Sequence, residues 1–294
     1  MADQGENSRR PLREEDVCEH VLSPDDMKRF HADGYLVLPW PVLEAHALDA
    51  VRQTAEELMV AGPETVARLY EHHANETGDE DAVLFHCLGG WRVASALADL
   101  VYNPAIIGPV SQLLPSLASE DGAPRAGVRL WHDQLFCKPG GIGGPVAWHQ
   151  DMSYWTRTAP AAHHLTIHVA LDDQNHENGG LYVVPGSQTW DLLPVTSRHF
   201  DDMDSIHSVL TSEQSAAFHP HLLGLKAGYA SIHHSHTVHG SWPNTSSAPR
   251  RAAAVNVIAD GVYANDDSPL LAGVPPVPCG EPLVGEYFPL LFEP

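Results

Sequence analysis

The chain has 294 residues, enough for one large domain with its own apolar core or for two small ones. Hydrophobic residues make up 43% and charged residues 18%, which excludes an intrinsically disordered chain. With 16 Lys and Arg against 38 Asp and Glu the net charge is −22, so neither a nucleic-acid partner nor an anionic membrane surface is expected, and no apolar run approaches the roughly 18 residues of a membrane span.

The first 20 residues, MADQGENSRRPLREEDVCEH, are polar, lack the apolar stretch of a signal peptide, and are expected to form a loose arm. Cys18, Cys87, Cys137 and Cys279 are widely spaced and form no CxxC pair, which points to the reducing cytoplasm. Ser23-Pro24-Asp25-Asp26 starts a helix, with Ser23 as N-cap and Pro24 at its first position. That helix should run to about Ala32 and end at Gly34, with YLVLP (35–39) following as a short strand. Ala47, Leu48, Val51, Ala55, Leu58 and Met59 recur at helical spacing, predicting a second helix within 44–61. Further helices are expected over 92–101 and 105–114, which makes 21–120 a mainly helical flank.

From Gly127 onward the period changes to two. GVRLWHDQLFCK places Leu130, His132, Gln134, Phe136 and Lys138 on one strand face, and Trp131, Asp133, Leu135 and Cys137 on the other. In HLTIHVALDD (164–173), Leu165, Ile167, Val169 and Leu171 form an apolar face opposite His164, Thr166, His168, Ala170 and Asp172. Strands are also expected over 180–187, 229–242 and 251–261. With 24 Pro and 23 Gly this pattern favours a turn-rich β fold. The expected architecture is a single domain (1–294), mainly β with flanking helices. Its core over 121–261 is a double-stranded β-helix (jelly roll, cupin-like), with 188–222 as an insert or lid and 262–294 as a Pro-rich C-terminal coil.

Trp148-His149-Gln150-Asp151 is the sharpest chemical signal. A His and an Asp two apart on extended backbone point the same way and can share one metal ion. The sequence has three H-x-D triplets, but His31-Asp33 spans the end of a helix and His199-Asp201 lies in the irregular insert. His149-Asp151 alone follows a Gly/Pro-rich turn (PGGIGGP, 139–145) between predicted strands. The second signal is HGSWPNTS (239–246) followed by Pro249-Arg250-Arg251. A third ligand from a distant strand would give two His and one carboxylate on one face of a metal, the set typical of non-haem Fe(II) oxygenases, although catalytic Zn accepts the same donors.

WHQD (148–151), ALDDQNHENGGLYVVPGSQ (170–188) and HGSWPNTSSAPRR (239–251) together resemble the phytanoyl-CoA dioxygenase family of Fe(II)/2-oxoglutarate oxygenases, as do FHADGYLVL (30–38) and LFCKPG (135–140). The resemblance implies His149, Asp151 and His239 as iron ligands, and Arg250 as the partner of the far carboxylate of 2-oxoglutarate. Ser241, two residues after His239, shares its face and can donate to the same carboxylate. Gln134 and His168 fall at family positions that approach the co-substrate, and Thr166 shares the face of His168. His132, Tyr154 and Trp155 are candidate substrate contacts. The implied activity is hydroxylation of a small organic molecule, with Fe(II), 2-oxoglutarate and O2 consumed or used and succinate and CO2 released. The net charge of −22 and only three lysines favour a natural-product or amino-acid-like substrate over a long acyl-CoA. Nothing in the sequence sets an oligomeric state.

Each assignment has a plainer counterpart. His149 and Asp151 could be a turn histidine and a capping acid. His233 shares a strand face with His239 if 229–242 is one regular strand, and Arg251 competes with Arg250. Gln134, Thr166, Ser241 and His168 could be ordinary strand polar groups satisfied by neighbours, and Tyr154 and Trp155 ordinary packing residues. A jelly-roll metal enzyme without 2-oxoglutarate (an isomerase or hydrolase) and a catalytically silent binding module remain as alternatives.

Overall fold

The computed structural model describes residues 9–115, 117, 125–196 and 201–294. Part of the predicted arm (1–8), the end of the helical flank and His199 of the third H-x-D triplet therefore lie outside the described residues.

Residues 9–20 do not form a loose arm. Leu12 exchanges backbone hydrogen bonds with Leu291 and Glu293 (2.8 and 2.9 Å), and α1 (Glu14–Val17) buries Val17 completely, because these two apolar side chains gain more from the core than from water. α2 (Pro24–Asp33) starts as its sequence demands. Ser23 Oγ accepts from the Asp26 N–H (3.1 Å) and the Asp26 carboxylate accepts from the Ser23 N–H (3.2 Å). Gly34 ends it at φ 77°, where a Cβ would fall 2.4–2.6 Å from atoms of Gln188 and Thr237. α3 (Ala45–Met59) buries Leu48, Val51, Ala55 and Leu58 along one face, and α4 (Pro63–Val66), α5 (Ser95–Val101), α6 (Pro104–Leu113) and α7 (Ser212–Ala217) are shorter.

The strands are β1 (Tyr35–Pro41), β2 (Glu71–His73), β3 (Phe85–Leu88), β4 (Val128–Lys138), β5 (Val146–His149), β6 (Thr158–Ala159) and β7 (His164–Ala170). They continue with β8 (Tyr182–Val183), β9 (His221–Leu222), β10 (Tyr229–His234), β11 (His239–Ser241), β12 (Arg250–Ala259), β13 (Tyr263–Ala264) and β14 (Leu290–Phe292). A major sheet has the order β1-β10-β7-β12-β4-β3-β2, with β14 also paired to β4; a minor sheet has the order β5-β11-β8-β9; β6 and β13 form a small ribbon. All strand pairings are antiparallel, and the two sheets do not close into one hydrogen-bonded barrel.

One face of the major sheet carries the core. Leu165, Ile167, Val169, Leu135, Val255 and Ile232 are all at most 2% exposed and join the buried faces of α3, α5 and α6 in one cluster. Each such side chain contributes about 1.5–3 kcal/mol by leaving water. The opposite face carries polar groups in rows set by register. His132, Asn256, Thr166 and His233 are cross-strand neighbours in one row; Gln134, Ala254 and His168 form the next; Lys138 and Arg250 are paired two rows further on. Small Ala252 and Ala254 in the middle of β12 leave room above this face.

Four expectations about strands change. The helical flank contains β2 and β3, which widen the major sheet beyond β4. The strand expected over 180–187 is reduced to β8. The strand expected over 229–242 breaks into β10 and β11, which lie in different sheets, so His233 and His239 do not share a strand face. The intervening turn is held from outside, by the Met152 N–H on the Ser235 carbonyl (3.0 Å) and by Gln150 Nε2 on the His236 carbonyl (2.9 Å). The alternation within 127–138 also fails at one point. A bulge pairs Asn256 with His132 but Val257 with Leu130, so Trp131 is the extra residue and Leu130 turns into the core beside Leu135.

Segment 188–222 was expected as a lid. Its described apolar residues, Trp190, Leu193, Met203, Ile206 and Phe218, cluster instead with Trp148, Val184 and Val238 of the minor-sheet region, because that is where their apolar area is buried. None of its described residues lines the cavity over the polar face of the major sheet. Leu270 and Leu271, from the C-terminal coil, do.

Candidate metal centre

His149 ends β5 and His239 begins β11, and the two are direct cross-strand partners. Their rings lie 4.2 Å apart between centroids. His149 Nδ1 sits 2.8 Å from the Ala147 carbonyl and His239 Nδ1 sits 2.9 Å from the Thr237 carbonyl, so each ring donates its Nδ1–H to the backbone two residues earlier. That fixes the tautomer and leaves each Nε2 lone pair for a ligand role. Both Nε2 atoms are 3.6 Å from Asp151 Oδ1, which opens the short helical turn Asp151–Ser153 after β5.

The other carboxylate oxygen is held from below. Asp151 Oδ2 accepts from Thr166 Oγ1 at 2.6 Å and faces His233 Nε2 at 3.3 Å. Thr166 has one proton, which goes to the charged acceptor. Asn256 completes the row: its Oδ1 lies 2.9 Å from Thr166 Oγ1 as a competing acceptor for that one proton, and its Nδ2 lies 3.1 Å from His132 Nδ1. Burial by itself would raise the Asp151 carboxyl, but the imidazoles of His239, His149 and His233 around it hold it well below the usual carboxylate range. Burial, with His149 close by, holds His239 well below its usual value and therefore neutral, as a ligand must be. Among the described residues, His149, Asp151 and His239 are the one group of three His, Cys, Asp or Glu whose ligand atoms all lie within 4.8 Å of one another. Metal bonds of about 2.0–2.2 Å to nitrogen and oxygen can span such a set from one ion.

These residues face a cavity of about 330 Å³. Arg250 opens β12 beside it, is 2% exposed, and forms no ion pair among the described residues. Its Nη2 donates to the Gly179 carbonyl and to Ser241 Oγ (3.2 Å), while its buried Nε has no partner among the described residues. Gly179 is at φ 70°, and a Cβ there would fall 2.3 Å from the Trp242 carbonyl, so glycine is required where the guanidinium is anchored. Burial lowers the Arg250 pKa to about 10, which leaves it charged at neutral pH. Ser241 Oγ also receives Lys138 Nζ at 2.6 Å. With both lone pairs occupied, the Ser241 proton is the part left for a ligand. Lys138, fully buried, also donates to the Trp242 carbonyl (2.7 Å) and so ties the major sheet to β11; burial, and then Arg250, hold its pKa well below the usual lysine value. Arg251 points the other way and pairs with Asp172 (2.9 Å) and Glu56 (2.5 Å), as a structural ion-pair residue.

The remaining sequence candidates line the same cavity. Gln134, Thr166 and His168 rise from the major sheet. Thr166 hydrogen-bonds to Asp151, and His168 Nε2 lies against the Gln174 amide (3.0 Å to Nε2), its pKa lowered to about 3 by burial and then by Arg250. His132 is likewise buried and neutral, pushed down to about 3, with Trp155 edge-on to it at 5.6 Å. Tyr154 stands edge-on to His149 at 5.7 Å. His31 and Asp33, of the first H-x-D triplet, lie at the end of α2, away from the cavity. Sequence reasoning missed Asn256, Gln174, Glu71, Glu76 and His86. Asn256 carried a signal, a lone amide inside the apolar run AAAVNVIA; the others carried none.

Two antiparallel sheets with a two-His, one-carboxylate cluster and a buried arginine at one cavity define a jelly-roll oxygenase of the non-haem iron class. The profile of the Phytanoyl-CoA dioxygenase (PhyH) family matches residues 30–252. The chain belongs to that family of Fe(II)/2-oxoglutarate-dependent oxygenases. Among curated relatives it is 30% identical to a probable alpha-ketoglutarate-dependent hypophosphite dioxygenase of Stutzerimonas stutzeri, over 56% of this chain and about half (52%) of that protein. It is 28% identical to L-proline trans-4-hydroxylase of Streptomyces griseoviridis over 77% of this chain and 82% of that one. Among solved structures, the non-heme alpha ketoglutarate dependent carbocyclase SnoK from nogalamycin biosynthesis superposes with a TM-score of 0.70 at 22% identity, covering 96% of this chain and 99% of that one. EctD from S. alaskensis, with 2-oxoglutarate and 5-hydroxyectoine, gives 0.63 at 20% identity over 83% and 78%. At these identities the structural likeness speaks for the fold. Among the described residues no helix is long and apolar enough to cross a membrane.

Proposed function

We propose that the protein hydroxylates a small organic molecule, with Fe(II) held by His149, Asp151 and His239 and 2-oxoglutarate anchored by Arg250 and Ser241. The observation that carries this reading is one cavity with two complementary halves. Two imidazole Nε2 atoms and a carboxylate face the cavity as a ligand set, and close by a buried guanidinium without an ion-pair partner among the described residues offers its fork to a carboxylate. A metal-dependent isomerase or hydrolase, or a silent binding module, has no use for that second half. When bound, Fe(II) and 2-oxoglutarate supply O2 activation coupled to decarboxylation, one oxygen atom passing to succinate and the other to the substrate, with release of CO2.

The protein's part is positional. Thr166 and His233 hold Asp151 Oδ2, which turns Oδ1 toward the two Nε2 atoms. Lys138 holds Ser241, and Ser241 with the Gly179 carbonyl holds Arg250. Gln134 and His168 line the cavity between the two halves; Trp155 and Tyr154 wall the metal side and keep water out. The four free cysteines fit a reducing cytoplasm. Arg250 is the sole Lys or Arg among the described lining residues, and it is committed to 2-oxoglutarate. A long acyl-CoA, with several negative charges, finds no partner there. An uncharged or cationic small molecule of the natural-product or amino-acid kind fits better, and relatives named for L-proline and ectoine point the same way.

Anaerobic protein given Fe(II) and 2-oxoglutarate should develop a weak visible charge-transfer band, and O2 with a substrate should then yield succinate. A protein that binds Fe(II) but never shows the band on adding 2-oxoglutarate would overturn this reading. Thr166→Val keeps the shape of the side chain but removes the hydrogen bond to Asp151. It should weaken Fe(II) affinity by about 10-fold in a competition titration, as expected for loss of a carboxylate-orienting partner.

A further inference from the structure

The same cavity has an acidic edge that the metal and the anion clamp do not use. Glu71 of β2, Glu76 of the connecting loop and His86 of β3 all line it. Register carries them there: His73 pairs with His86, and His86 with Phe136 of β4. The rings of His73, His86 and Phe136 form a column, with centroids 6.1 and 4.6 Å apart and planes within 14° and 10°. Glu76 Oε2 lies 3.3 Å from His73 Nδ1 and 3.7 Å from His86 Nδ1, and Glu71 Oε2 lies 3.4 Å from His73 Nε2.

His86 is the telling residue. The residue is 9% exposed, its Nδ1 lies 3.7 Å from Glu76 Oε2, and its buried Nε2 has no hydrogen-bond partner among the described residues. In the tautomer that carries its proton on Nδ1, Nε2 presents a lone pair. This edge therefore offers acceptors: two carboxylates and one imidazole nitrogen. A buried acceptor without a donor costs about 1–3 kcal/mol, which a ligand N–H would remove. The edge is not a second metal site, since its ligand atoms do not form a mutually close set of three among the described residues. Arg250 lies two strands away on β12. Tyr154 connects the edge to the metal centre. Its phenol is pushed up to about 12 by burial and then by the carboxylates of Asp151 and Glu76, so it lies within electrostatic range of both. Trp155, Leu270 and Leu271 add apolar wall.

We infer that the β2–β3 hairpin selects a substrate bearing a protonated amine or similar cationic N–H group, received by Glu76, Glu71 and His86 Nε2, with an apolar body in the cavity. This rests on the reading of the cavity as an oxygenase active site and names its substrate class. The net charge of −22 also steers cations toward the protein and anions away.

Three probes with the same phenethyl body and different head groups test it: phenethylamine, 2-phenylethanol and 3-phenylpropanoate, titrated calorimetrically into anaerobic protein loaded with Fe(II) and 2-oxoglutarate. Phenethylamine should bind about tenfold more tightly than the alcohol, and the propanoate most weakly, as expected for one charge-assisted hydrogen bond. Glu76→Gln should remove the amine's advantage while the alcohol's affinity is kept, Glu71→Gln at its more exposed position should reduce the advantage, and Glu76→Lys should invert the order of amine and propanoate. Failure of the amine to bind, equal affinities of amine and alcohol, or an advantage unchanged in both Gln variants would overturn the inference. The two readings fail separately. A missing charge-transfer band before any probe is added counts against the iron and 2-oxoglutarate assignment, whereas a normal band with no amine preference counts against the substrate class alone.

Discussion

Asp151→Ala should leave a protein that folds but no longer holds Fe(II). Asp151 is the one anionic member of the triad, and its Oδ1 stands 3.6 Å from both Nε2 donors. If each ligand carries a similar share of the binding energy of a protein metal site, its loss weakens Fe(II) binding by about 10²–10³-fold. Turnover of 2-oxoglutarate should fall below detection at micromolar iron. The fold should survive, because the substitution removes a buried charge from a cavity wall and leaves the strand pairing of His149 with His239 intact. Iron content after dialysis, set beside a thermal melt, decides the matter. A variant that retains stoichiometric iron would remove Asp151 from the centre.

Arg250→Ala should do the opposite, keeping iron and losing 2-oxoglutarate. The guanidinium is buried, charged and without an ion-pair partner among the described residues, so a bound carboxylate would meet it in a dry site. Two charge-assisted hydrogen bonds at about 1.5–3 kcal/mol each place the rise in KM for 2-oxoglutarate at about 10²–10³-fold or more. Arg250→Lys should recover only part of this, since an ammonium lacks the planar fork and cannot reach Gly179, Ser241 and a carboxylate together. Iron affinity is the internal control. If it collapses alongside 2-oxoglutarate binding, the residue supports the fold rather than the co-substrate.

Much of this was legible along the chain. The Ser23 capping box and Gly34 stop, the apolar stripe of α3, and the alternation of Leu165, Ile167 and Val169 are local patterns, and the structure follows them. The H-x-D spacing was also local, and so was the opposite facing of Arg250 and Arg251; the strand period did not say which of the two enters the cavity, and the family resemblance pointed to Arg250. The failures share one cause. The bulge at Trp131, the break between His233 and His239, and the seating of 188–222 against Trp148 each depend on a partner far away in sequence, and no window of ten or twenty residues contains it.

The chain order alone determined which side chains are capable of the chemistry: two imidazoles, an acid and an arginine, each set on a strand or at its end with a predictable facing. Only tertiary packing decided who their neighbours are. It put Thr166 and His233 under Asp151, Lys138 behind Ser241, and Glu71, Glu76 and His86 at the rim. Facing is a property of the local backbone period, whereas neighbours across a sheet are chosen by register and by where apolar area finds cover, which are properties of the whole fold.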